Sequence, residues 1–341
     1  MTSAARRRDV QPPPPTCLYI EVTNRCNLKC VTCIRTFETR EEAKDLSFDE
    51  VRSVVDQLPS LDRAVLHGIG EPLLNRELPR MIEYLKARGV YVLFNTNAVL
   101  LTPEWQACLI ETELDELRVS MDAATEEKYE QIRGFPVLHR LVANLKELHA
   151  LKQRRGASRP LVSLWLMGLK ESIHEMPAFF GIAKEVGADE VYLQRLVYAD
   201  GGPAGSVMHR EHSLHGAEDG QVDEVLQVCE ELSRQHGFAL HASGATTPRR
   251  SLGAAENPYP WQACQRPFTL MYMTATGNIL PCCIAPFAVA LHEYPEIILG
   301  NVREQSLEEI WHSERYQTFR RQLLSPEPAT PCRGCGVEWS L

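Results

Sequence analysis

The strongest constraint on how this chain folds is a regular alternation between two hydrophobic periods. Six short β-branched and aromatic runs, at 17–23, 63–68, 90–96, 116–122, 161–168 and 190–197, are separated by amphipathic helical patterns at 48–58, 77–89, 102–111, 125–153 and 174–187. A strand that is followed by a helix returns to its sheet in parallel, and such crossovers are right-handed. Boundary signals agree: Thr102-Pro103 opens one helix, and Gly89 and Gly187 close two others. The strands are nearly all apolar, which predicts cover on both faces. Periodicity alone suits an open doubly wound sheet and a partial (β/α)6 barrel equally. Either way, functional residues belong at the carboxyl ends of the strands.

Other segments frame this α/β region. Residues 1–15 read as a disordered arm ending in the Pro12–Pro15 stretch. The alternating region is expected to run over 16–200, a loop, helix and linker over 201–257, and a small second domain over 258–341. That domain reads as a β-hairpin turning near Gly277-Asn278, plus one long helix over 306–325. A chain of 341 residues buries roughly 75% of its extended surface, so it needs no disulfides to fold. Its net charge of -9 argues against non-specific nucleic-acid binding. No 18-residue apolar run predicts a membrane span, and no apolar segment follows the N-terminal arginines as a secretory signal would require. The expected location is cytoplasmic, where thiols stay reduced. Eleven cysteines then point to metal binding.

Three of them, Cys26, Cys30 and Cys33, lie on one loop directly after the first strand. Iron–sulfur clusters are held by thiolates, usually four, so three leave one iron open. A zinc site with a distant fourth ligand is the competing reading, although zinc modules favour paired C-x2-C spacing. The C-x3-C-x2-C loop resembles that of the radical S-adenosylmethionine (SAM) enzymes. Further stretches extend the resemblance over about 17–197. "HGIGEPLLN" (67–75) is similar to the family's Gly-Gly-Glu segment, "NTNA" (95–98) to its Thr-Asn-Gly, and "VSMDA" (119–123) to its Ser-x-Asp. The resemblance implies a partial (β/α)6 barrel and a [4Fe-4S] cluster on Cys26, Cys30 and Cys33. It also implies SAM contacts from Thr32, Gly70, Glu71, Asn97, Ser120 and Asp122. The implied chemistry is reductive cleavage of SAM, by an electron from an external donor such as flavodoxin or ferredoxin, to a 5′-deoxyadenosyl radical that abstracts hydrogen. Two departures stand out. Thr32 occupies a commonly aromatic position, and Ala98 replaces a glycine.

Cys264, Cys282, Cys332 and Cys335 resemble the auxiliary-cluster region of SPASM and twitch subfamilies, which implies a second [4Fe-4S] cluster; a four-cysteine zinc ribbon is the alternative. Cys282 and Cys283 adjoin in a presumed strand and should point to opposite faces, with Cys282 toward the cluster. Cys283 is then free to serve as a hydrogen-atom donor. Gln194, Arg195 and Tyr198, at the end of the sixth strand, are candidate substrate contacts, the competing reading being an ion pair and a rim aromatic. His209, His212 and His215 sit at three-residue spacing in a long loop that reads as a solvated lid, a metal site being the competing reading.

A fully cysteine-ligated second cluster has no open iron, which suggests electron transfer. The expected reaction is therefore oxidation of a small polar metabolite, of sugar or aminocyclitol type. The alternatives are radical epimerisation, modification of a ribosomal peptide, or a non-catalytic iron–sulfur or zinc-binding interaction protein. The short N-terminal arm favours the small molecule over the peptide.

Overall fold

The computed structural model describes residues 9–198, 202–214, 220–244, 246–253, 257–333 and 335. Ten strands form one sheet: β1 (Cys17–Ile20), β2 (Arg63–Val65), β3 (Tyr91–Thr96), β4 (Glu116–Ser120), β5 (Leu161–Gly168), β6 (Glu190–Arg195), β7 (Ala239–Ala242), β8 (Leu270–Met273), β9 (Asn278–Leu280) and β10 (Gly300–Asn301). Their spatial order is β10-β9-β8-β1-β2-β3-β4-β5-β6-β7. The first seven run parallel in sequence order, β8 pairs parallel with β1, and β9 and β10 are antiparallel. This is the partial (β/α) barrel expected, with additions on both sides. The short run at 239–242 is a seventh parallel strand. The C-terminal hairpin does not build a sheet of its own; it continues the barrel's sheet through β8.

Side chains alternate across a strand. One face, with Leu18, Ile20, Val92, Phe94, Leu117, Val119, Leu164, Leu166, Val191 and Leu193, packs against the helices in a single core. The other face, called inner here, departs from the expected apolar cover. Near β1 to β3 it carries Tyr19, Val65 and Leu93, continued across the sheet by Tyr272 and Leu280 of β8 and β9 and packed with Ala285 and Val289 of the C-terminal segment. Further along it carries Arg118, Trp165 and Tyr192. The rings of Trp165 and Tyr192 stack at 3.8 Å, and Arg118 lies 4.8 Å over Trp165 while its Nε bonds Glu116 at 2.6 Å. Polar residues tolerate this face because it fronts a site and not a second layer of helices.

The two helical stretches of the 125–153 pattern are the helices Glu126–Arg133 and Leu138–Arg155, the first ended by Gly134 with φ of 84°. One expected helix is interrupted by a local cap. The long C-terminal helix divides into Leu307–Trp311 and Glu314–Leu323, because the Ser313 side chain accepts the Tyr316 N–H and restarts the helix. The N-terminal arm also differs from expectation over its described part. The carbonyls of Pro12 and Pro13 accept from Trp311 Nε1 at 3.1 and 2.9 Å, and that of Val10 accepts from Arg320 at 3.0 Å. Residues 1–8 lie outside the described part.

Candidate active site

The loop carrying Cys26, Cys30 and Cys33 leaves the carboxyl end of β1 and is held from three sides. Val31 donates to the Ile132 carbonyl at 2.9 Å, and Gly134 backs onto Lys29 so closely that a Cβ there would stand 2.7 Å from its carbonyl. Within the loop, Thr36 donates to the Cys30 carbonyl and Arg35 to that of Leu28. The segment after β2 closes the third side. Glu71 donates its N–H to the Arg25 carbonyl at 2.8 Å, and a Cβ at Gly70 would meet the Thr23 carbonyl at 2.1 Å. Gly70 is thus needed for close backbone approach. The three cysteines pack around Leu28 and Val99.

Of the other expected SAM-contact residues, Glu71 and Asn97 touch this loop and Asp122 is linked to it through Arg133. The Glu71 carboxylate is buried and accepts from Thr96 Oγ1 at 2.7 Å and Asn97 N at 2.8 Å; burial pushes its pKa up against those bonds. Asn97 donates to Asn27 at 2.9 Å and stands 3.9 Å from Cys26 Sγ. Ala98 has φ 54°, the left-handed conformation that favours glycine. Ser120 ends β4, and Thr32 sits half-buried in the turn between Cys30 and Cys33. Asp122 accepts from the Met167 N–H at 2.8 Å and pairs with Arg133 at 2.5 Å.

Arg133 was not anticipated from the sequence. It ends its helix and reaches back 103 residues to Cys30 Sγ at 3.5 Å, so one guanidinium links the cysteine loop to Asp122. Burial opposes its charge, and Asp122 and Cys30 outweigh that and hold its proton firmly. Arg133 Nε and the buried Tyr129 hydroxyl have no hydrogen-bond partner among the described residues. Two orphaned polar atoms beside Cys30 and Asp122 fit a site built for a polar cofactor.

The C-terminal cysteines are gathered elsewhere. Cys264, Cys282, Cys332 and Cys335 line one cavity with Trp261, Arg266, Pro267, Phe319, Leu323 and Pro331. Burial pushes the Cys335 thiol up to about 12, and Cys33 likewise in the first site. Such thiols ligate only once metal displaces the proton. Among the described residues no three His, Cys, Asp or Glu close on a single-ion point; a four-iron cluster spreads its ligands more widely. Cys283 is not among the residues lining the cavity, and both Cys282 and Cys283 pack against the cluster that holds Tyr19 and Val65 of the inner face. The strand alternation expected to separate the two cysteines does not apply, because β9 ends at Leu280 and both lie in the bend that follows.

Of the candidate substrate residues, Gln194 falls on the inner face by alternation. Arg195 donates its Nε to the Ser251 carbonyl, and Tyr198 packs on the helix-side core. The loop at 202–214 is not a solvated lid: Ser206, Met208, Ser213 and Leu214 are buried, and Val207 donates to the Val31 carbonyl at 3.1 Å. His209 bonds the Pro203 carbonyl and His212 bonds Glu171, so the two are not gathered into a site; His215 lies outside the described residues.

The two sites are joined by acidic residues that sequence reading missed. Glu21, 2% exposed, accepts from Ile69 N at 2.8 Å on the Gly70 side and from Tyr272 Oη at 2.9 Å and Ala275 N at 3.2 Å on the hairpin. Glu41, just beyond the cysteine loop, accepts from Thr276, Asn278 and Tyr294. Arg40 donates to the Pro286 and Val289 carbonyls, both at 2.7 Å. Nothing in the local pattern marks these contacts, and those to the C-terminal segment span more than 230 residues of chain.

Two family models match the chain: the radical SAM superfamily over residues 20–181, and SPASM, an iron–sulfur cluster-binding domain, over 264–336. The AdoMet-dependent heme synthase of Methanosarcina barkeri is 27% identical over 320 residues, 92% of this chain and 86% of that protein. The PqqA peptide cyclase of Gluconobacter oxydans is 26% identical over 332 residues, 96% of this chain and 85% of that protein. The mycofactocin maturase MftC of Mycolicibacterium smegmatis is 25% identical, over 94% of this chain and 76% of that protein. In fold the chain is similar to Streptococcus suis SuiB bound to S-adenosylmethionine, with a TM-score of 0.69 at 16% identity, over 94% of this chain and 77% of that one. These domains imply a [4Fe-4S] cluster that binds SAM and an auxiliary iron–sulfur cluster. With one model on each cysteine set, the chain carries a radical SAM domain over residues 20–181 and a SPASM iron–sulfur cluster-binding domain over residues 264–336.

Proposed function

We propose that this radical SAM enzyme is a maturase that modifies a peptide. The observation that supports this is the likeness, across 94–96% of this chain and through both cysteine sets, to proteins named as a peptide cyclase and a maturase. Oxidation of a sugar-like metabolite, the expectation from cluster logic and the short N-terminal arm, has no such support. The shortness of the segment before β1 constrains nothing about what the site accepts. Bound SAM, reduced by its cluster, supplies hydrogen-atom abstraction.

The chain's own residues hold and shape that chemistry. Cys26, Cys30 and Cys33 ligate the first cluster. Gly70, Glu71, Asn97, Ser120 and Asp122 form the SAM cradle, with the backbone at Thr32 beside it. Cys264, Cys282, Cys332 and Cys335 would hold one auxiliary cluster, which would supply electron transfer. Gln194, Trp165 and Tyr192 face the substrate. Cys283 needs no role in this scheme, so Cys283→Ala retains product formation.

The test is anaerobic incubation of reconstituted enzyme with SAM, a low-potential reductant and short peptides encoded beside its gene, followed by peptide mass analysis. A SAM-dependent mass change in one peptide is expected. Turnover of a sugar alcohol or a tetrapyrrole, with every peptide unchanged, would sink the proposal.

A further inference from the structure

Arg266 stands where no ordinary packing argument puts an arginine. It begins the single turn Arg266–Thr269, two residues after Cys264 and directly before β8. It is 6% exposed and lines the same cavity as Cys264, Cys282, Cys332 and Cys335. A guanidinium does not lose its proton in a protein, so this charge is permanent. Burying a permanent charge is unfavourable unless negative charge accompanies it. Four thiols become strongly negative when they ligate iron. A cation already buried among them is stabilised by that change, and it stabilises the added electron in turn. Net charge and hydrogen bonding near the sulfurs are what set a cluster's potential.

We propose that Arg266 is a tuning residue of the auxiliary cluster, whose fixed positive charge holds that cluster's reduction potential above the value its four thiolates alone would give. The inference rests on the auxiliary-cluster reading and is independent of whether the substrate is a peptide. Arg133 holds the matching place beside Cys30, yet its charge is shared with Asp122 at 2.5 Å. Its effect on the first cluster is accordingly smaller.

The test reads potential and not turnover. In the full chain carrying Cys26→Ala, Cys30→Ala and Cys33→Ala, only auxiliary iron remains to be titrated. Its midpoint, followed by electron paramagnetic resonance, is compared with those of Arg266→Gln and Arg266→Lys in the same background. A more negative midpoint for Gln, with Lys near the parent, is expected. If Gln loses its iron while Lys keeps it, the charge is required by the cluster, which also supports the assignment. Equal midpoints for parent and Gln at equal iron content, or loss of iron from both variants, would overturn it and leave Arg266 a packing residue. A parent holding no iron overturns this inference and the auxiliary-cluster reading together, while the peptide test above stands apart from either.

Discussion

The two cysteine sites are built in opposite ways. The first draws its thiols from eight consecutive residues, on a loop whose own bonds, Thr36 to Cys30 and Arg35 to Leu28, shape it locally. The second collects thiols from residues 264 to 335, across a hairpin and two helices, around one cavity. A contiguous loop loses little entropy on closing, whereas a site made of distant segments depends on everything folded between them. The first site should therefore tolerate damage to the second better than the reverse, unless the residues that bridge them carry the load.

The largest effect tests that independence. Replacing Cys26, Cys30 and Cys33 by Ala should abolish SAM cleavage and lower iron from about eight to about four per chain, by four-iron logic applied twice. Cys332→Ala or Cys335→Ala should keep SAM cleavage and lose product. A wild type with four irons and one zinc would break the comparison at its base.

Next in size is Arg133→Met, read by denaturant unfolding. It strands the buried Asp122 carboxylate without its cation, which costs about 3–5 kcal/mol and should loosen the cysteine loop. Double replacement with Asp122→Asn should recover part of that loss. No recovery would mean that Arg133 acts on Cys30 alone.

Glu21 bridges the sites and carries a pH signature. Burial raises its pKa from 4.5 to about 7 despite the bonds it accepts from Ile69 and Ala275. The folded protein then binds a proton that the unfolded chain releases, so stability is greatest below pH 4.5 and falls as pH rises to about 7. At about 1.4 kcal/mol per unit, this change is about 3 kcal/mol. Glu21→Gln should flatten it, measured as the difference in unfolding free energy between pH 5 and pH 8. An unaltered difference would show that another buried acid is responsible; Glu190, also raised to about 7, is the first to examine.

The smallest effects test local fit at each site. Trp311→Phe removes the indole N–H from the Pro12 and Pro13 carbonyls and should cost about 1 kcal/mol, chiefly in the C-terminal region. Ala98→Gly relieves a left-handed alanine but adds backbone freedom to the unfolded chain. Its net effect should stay within about 1 kcal/mol, with SAM affinity retained.

The alternating periods and the spacing of Cys26, Cys30 and Cys33 were enough to read a parallel α/β region, its strand ends and the first cluster loop, because each is a property of neighbouring residues. Gly70, Glu71, Asn97 and Asp122 came instead from the family resemblance of short segments, which the strand pattern only placed at strand ends. What the sequence alone did not disclose depends on distant pairing. The union of β8 with β1, the polar inner face of Trp165, Tyr192 and Arg118, the docking of Pro12 and Pro13 on Trp311, and the bridges of Glu21 and Glu41 all join segments that local propensity treats as unrelated. Arg133 and Arg266 belong with them. An arginine near the end of a helix or in a single turn looks like surface, and only the closed tertiary structure, by burying each beside thiols, turned them into parts of the two sites.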